Sequence, residues 1–135
     1  MEQRIRKSFD QQSMMETLGA RIASVAAGEV VIEAPILPGS RQQQGVAHAA
    51  LTFAIGDSAA GYSALTMLPE DQDVMTAEIK VNLLAPGAGD FLRAKGRVIK
   101  PGRRLVVVSA EVFAVTGDTE KLIAVMQGTM VPVTP

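Results

Sequence analysis

Between Gln42 and Pro69 the chain carries one formally charged side chain, Asp57, in a run otherwise made of small, apolar and uncharged polar residues. At 3.6 residues per turn, Gly45 to Leu68 presents small or apolar groups on every face, so a helix formed here is expected to be buried over most of its circumference. One stripe is bulky: Leu51, Ile55, Ser58, Tyr62 and Leu65. The adjoining stripe, Ala50, Ala54, Asp57, Gly61 and Ala64, is small enough for another backbone to come close and carries the carboxylate at its middle. Ala47 to Leu68 also approaches the roughly 20 apolar residues of a membrane span. His48, Asp57 and several hydroxyls inside it argue against that reading, because a charge in lipid is costly, and no membrane partner is expected.

What covers such a helix is legible on either side of it. Glu2 to Leu18, with apolar Ile5, Phe9, Met14, Met15 and Leu18, reads as one or two short amphipathic helical turns ending at Gly19 and lying on the sheet as a flap. Arg21 to Val25 and Glu29 to Ile36 read as a strand pair around Ala26-Ala27-Gly28, with Val30, Ile32 and Ala34 alternating with Val31 and Glu33. Downstream, Asp73 to Leu84, Asp90 to Ile99, Arg104 to Val115 and Lys121 to Val131 read as a four-strand meander with each strand pairing its neighbour. Pro86-Gly87, Lys100-Pro101-Gly102 and Thr116-Gly117-Asp118 supply the reversals. The simplest way to bury the helix is an α+β fold, one domain over residues 1–135, in which a curved antiparallel sheet of five to six strands wraps around it.

Composition then narrows the chemistry. A net charge of -1 offers no electrostatic footprint for a phosphate backbone, so nucleic acid is not expected as a partner. The chain has no cysteine, which rules out disulfides, thiolate nucleophiles and cysteine-ligated zinc, and its one histidine makes other metal sites improbable, so no metal is expected. The charged opening MEQRIRKSFDQQSMM lacks the apolar core of a signal peptide, and the cytoplasm is the default location.

A carboxylate among alanines is costly unless paired or neutralised, so Asp57 is the leading candidate for a general base or nucleophile whose pKa is raised by desolvation. The alternative is a carboxylate bonded to a neighbouring loop. His48 lies nine residues earlier, about 13 Å along a helix axis and on the opposite face, so the two cannot form an intrachain dyad. Either His48 belongs to a site shared with a second copy across a two-fold axis, or it is a hydrogen-bonded residue at the helix start. The free N–H groups of that first turn, with Ala49 as the candidate donor, can stabilise an oxyanion. The turn around Lys100, Arg103 and Arg104 suits either solvent or the phosphates of a coenzyme tail.

The run QQQGVAHAALTFAIGDSAAGY, with His48 and Asp57 nine residues apart, and the run TAEIKVNLLAPGAGDFLRAKGRVIKPGRRLVVVSAEVF resemble the hot-dog fold acyl-CoA thioesterases, in particular the phenylacetate-degradation branch. Gln42 stands where that family usually has Asn, and Ala49-Ala50 replace Gly-Gly. The resemblance implies that an acyl-CoA is cleaved to coenzyme A and a free acid, with no cofactor beyond the coenzyme carried by the substrate. Asp57 would activate water or attack directly, the Ala49 N–H of a second subunit would polarise the carbonyl, Gln42 would position water or substrate, and Thr76 would help order the water. It further implies His48 at the site, Gly45, Val46 and Gly61 against the substrate, Arg103 and Arg104 near the coenzyme phosphates, and a homodimer or a homotetramer built as a dimer of dimers. The enzymatic rival, a hot-dog hydratase, needs a His five residues after its Asp, which this chain lacks. The rival from another class is a non-catalytic acyl-CoA-binding protein, which the Gln42 and Ala49-Ala50 departures favour.

Overall fold

A computed structural model describes residues 1–135. Two short helices, α1 (Glu2–Asp10) and α2 (Ser13–Thr17), precede the hairpin β1 (Arg21–Ala26) and β2 (Glu29–Pro35). A 3-10 turn (Pro38–Ser40) leads to the long helix α3 (Ala49–Leu65). Four strands follow: β3 (Asp73–Leu83), β4 (Phe91–Lys100), β5 (Val106–Thr116) and β6 (Thr119–Val133). All six strands form one antiparallel sheet in the order β1-β2-β4-β5-β6-β3, with α3 packed on its inner face: the hot-dog architecture.

That order corrects the meander. β3 does not pair with its successor β4; it pairs with β6, while β4 lies between β2 and β5. Turn residues at Pro86-Gly87 mark a break but carry no information about which edge the next strand joins. The connector instead crosses the sheet end, tied to the loop before α3 by the Ala47 N–H donating to the Gly87 carbonyl at 3.0 Å.

Alternation sets the core. Val30, Ile32, Leu92, Ala94, Val106, Val108 and Val112 point inward onto Leu51, Ile55 and Ala59, all essentially inaccessible to water. α3 comes closest to the sheet at β4, where a side chain on Gly96 would run into the backbone of Ala59 and Ala60. The helix is less completely wrapped than its sequence suggests: Ala49, Ala50 and Phe53 in its first turns are exposed, whereas every residue from Ala59 to Leu65 is buried. Of the flap residues, Ile5, Phe9 and Met15 reach the core, but Met14 stays exposed. Arg4 fastens the flap by donating to the carbonyls of Leu68 (3.0 Å) and Gln72, and more weakly to that of Leu65 (3.5 Å), at the negative end of α3.

On the outer face, Glu33 is buried between two guanidinium groups, Arg93 at 2.7 Å and Arg21, and Arg93 continues to Glu120 at 2.7 Å. Glu33→Gln is expected to lower stability by about 1 to 2 kcal/mol, because the two cations lose their shared counter-charge while Arg21 remains mostly in water. A lower urea midpoint at unchanged slope is the readout.

Candidate active site

α3 starts where it does because His48 is extended and caps it, its Nδ1 accepting from the Ala50 N–H at 2.9 Å. Of the two readings open for His48 in sequence, this one accounts for its ring nitrogen facing the helix. The Ala49 N–H, one residue earlier, has no hydrogen-bond partner within the chain. Before the cap, Gln42 to Val46 form a tight loop. The Gln42 N–H donates to the Val46 carbonyl at 2.9 Å, and the Gly45 N–H to the Gln42 carbonyl at 3.0 Å. Gly45 takes φ +86°, a conformation that favours glycine. The Gln42 side-chain oxygen accepts from the Gln44 N–H, which leaves its NH₂ as the outward group.

Two turns further along α3, Asp57 is half-buried and its Oδ1 accepts from Thr76 Oγ1 at 2.8 Å. Thr76 reaches it through a bulge: opposite Met130 and Thr129 of β6, β3 inserts Ala77 as an extra residue. Desolvation raises the Asp57 pKa above its ordinary value of 3.8, and the Thr76 hydrogen bond pulls it partly back. The pair opens on a cleft of about 280 Å³ lined also by Ser8, Gln12, Ser58, Gly61, Tyr62, Asp73, Val74 and Met130.

Within one chain the expected site residues do not converge. Gln42, Val46, His48 and Ala49 line a different cleft, of about 510 Å³, with Leu83, Pro86 and Gly87. Arg103 borders a third, of about 410 Å³, with Met67, Leu68 and Pro69, while Gly45 and Arg104 lie in exposed loops. Ser58 and Tyr62 were visible in sequence as the bulky stripe beside Asp57. Ser8 and Gln12 carried no signal, since they meet α3 only through the docking of the flap.

A family model described as the thioesterase superfamily matches residues 44–121, which take in Ala49, Asp57 and Thr76. The chain belongs to the thioesterase superfamily. A thioesterase family protein from Silicibacter pomeroyi is 37% identical, with a TM-score of 0.96 over 99% of this chain and 98% of that one. The 1,4-dihydroxy-2-naphthoyl-CoA hydrolase of Listeria monocytogenes is 26% identical over 117 residues, 87% of this chain and 93% of that protein. A Bacillus halodurans protein solved with CoA is 26% identical with a TM-score of 0.71, over 76% of this thioesterase and 66% of that chain. This thioesterase is accordingly a thioester hydrolase. None of its helices is long and apolar enough to cross a membrane.

Proposed function

We propose that this thioesterase hydrolyses an acyl-CoA to coenzyme A and a free acid, with Asp57 as general base. The observation that carries the reading is a half-buried carboxylate of raised pKa, hydrogen-bonded to Thr76 and open to a cleft. Thr76 has one hydroxyl proton and gives it to Asp57, so its lone pairs are free to accept from a water that Asp57 Oδ2 also holds. Asp57 takes that water's proton as its oxygen attacks the thioester carbon. The resulting oxyanion needs donors, and when the carbon–sulfur bond breaks, the thiolate takes the proton that Asp57 accepted from the water and leaves as coenzyme A, returning Asp57 to its carboxylate form.

Ala49 supplies the donor, but not to the Asp57 of its own chain. The two are eight residues apart on one helix, about 12 Å along its axis, and face different clefts. A second copy with its α3 antiparallel brings Ala49, Gln42 and His48 of one subunit to Asp57 and Thr76 of the other. The surface such a copy would cover is apolar: Phe53 and Ala50 on α3, and Met75, Leu83 and Leu84 on or beside the edge strand β3, are exposed. We therefore read the working unit as a homodimer or a pair of homodimers, with Arg103 and Arg104 toward the coenzyme phosphates, no cofactor beyond the substrate's own coenzyme, and a cytoplasmic location. Support for CoA as the leaving group comes from the CoA-bound relative and the 1,4-dihydroxy-2-naphthoyl-CoA hydrolase, and the spacing of His48 and Asp57 supports the phenylacetate-type branch.

Thiol release from a panel of short, aromatic and long acyl-CoAs tests the proposal. Turnover of at least one is expected, with kcat/KM rising with pH to a plateau and an inflection above the ordinary carboxylate value, since the base works only when deprotonated and desolvation raises its pKa. Binding of several acyl-CoAs without release of CoA from any would favour the non-catalytic alternative.

A further inference from the structure

The cleft beside Asp57 has a polar far end. Tyr62 is 6% exposed, yet its hydroxyl is held by the flap: it accepts from Gln12 Nε2 at 2.6 Å and lies 3.1 Å from Ser8 Oγ. These bonds use the donor side of Gln12 and leave its side-chain oxygen without a partner in the chain. Ser58, half-buried on the same wall, makes no side-chain hydrogen bond at all. Gly61, Val74, Met130 and the Tyr62 ring give the cleft its apolar or featureless wall, and the exposed Asp73, whose Oδ1 accepts from the Val74 N–H at 2.8 Å, adds a second carboxylate to the lining. An alkyl terminus lying here displaces water from Gln12, Ser8 and Ser58 and offers nothing in return, which costs more than the apolar contact with Val74 and Met130 repays.

The rise of α3 sets the axial offset between the acid and the flap contacts. Asp57 and Tyr62 are five residues apart on α3, about 7.5 Å along its axis. We propose that this thioesterase selects acyl groups of medium length that end in a hydrogen-bonding group, a hydroxyl above all, which donates to Gln12 Oε1 and accepts from Ser58 or Ser8. Tyr62 acts as the positioning residue that holds Gln12 at the end of the cleft. The inference rests on Asp57 acting at the carbonyl, and it adds the identity of the acyl terminus.

Hexanoyl-CoA and 6-hydroxyhexanoyl-CoA form the matched pair that tests it. Wild type is expected to favour the hydroxylated substrate by about tenfold in kcat/KM, the value of one well-formed hydrogen bond against an unsatisfied one. In Gln12→Leu, on the half-exposed flap, and in Tyr62→Phe, the ratio is expected to fall toward one. Dissociation constants of the same two acyl-CoAs on Asp57→Asn, by calorimetry, should show the same order of preference without turnover. A wild-type ratio of one or below, or a ratio that survives both substitutions, overturns the proposal. Should wild type hydrolyse neither compound yet release CoA from another acyl-CoA, the proposed terminus is overturned; should it release CoA from none, the hydrolytic reading fails and the ratio of dissociation constants decides the question of the terminus.

Discussion

Asp57→Asn is expected to lower kcat by about 10³-fold, the usual contribution of a positioned general base, while leaving acyl-CoA binding close to wild type. The same substitution is expected to preserve or raise stability near neutral pH. The folded pKa of Asp57 lies above its ordinary value, so between the two the native state binds more protons than the unfolded one. Stability contributed by this group is therefore present at low pH and declines as pH rises through that window, where the half-buried carboxylate must ionise. An amide removes the charge and keeps an acceptor for Thr76. Activity and thermal stability thus move in opposite directions, which a purely structural carboxylate would not produce. Thr76→Val is a companion: it removes the bond that holds the pKa down, so the acidic limb of the pH profile shifts upward. Kinetics and thermal melts of both variants check this, and loss of activity together with a large loss of stability in Asp57→Asn would assign the residue a structural role.

Gly96→Ala carries the largest expected cost in stability, about 3 kcal/mol or more. A methyl there meets backbone atoms of Ala59 and Ala60 rather than the flexible end of a side chain, so α3 itself has to move. Because Asp57 lies two residues before Ala59 on that helix, displacement also separates it from Thr76, and turnover falls with stability. Gly61→Ala is the control. Its added methyl finds only Met130, at 3.9 Å, so alanine's better helix propensity should leave the fold intact or more stable by a few tenths of a kcal/mol. Urea unfolding of the two variants separates them, and an unchanged midpoint for Gly96→Ala would show that the helix has room the packing does not reveal.

Features governed by local periodicity were open to reading from sequence. The alternation of Val30, Ile32 and Ala34, the turn residues after each strand, and the single charge in a small-residue helix gave the elements, the wrapped architecture and Asp57. What escaped was nonlocal. β3 pairs with β6 although β4 follows it, the bulge at Ala77 that turns Thr76 onto Asp57 depends on that pairing, and Ser8 and Gln12 meet Tyr62 across 54 and 50 residues of chain. The exposed faces of Ala49 and Phe53 could not be foreseen either, because a small-residue stripe reads the same whether a sheet or a second copy covers it.

The strand order has a kinetic corollary. Thr76 rides on β3, whose partner within the chain is β6, so the hydroxyl facing Asp57 has no scaffold until residues 119–133 have threaded between β5 and β3. Closure of that long excursion is entropically slow relative to the β5–β6 hairpin, which forms from adjacent sequence. The acid and the hydroxyl that orients it therefore share one scaffold only when β6 is in place, and a chain that has already coiled its central helix still lacks that pair until its final ribbon slots home.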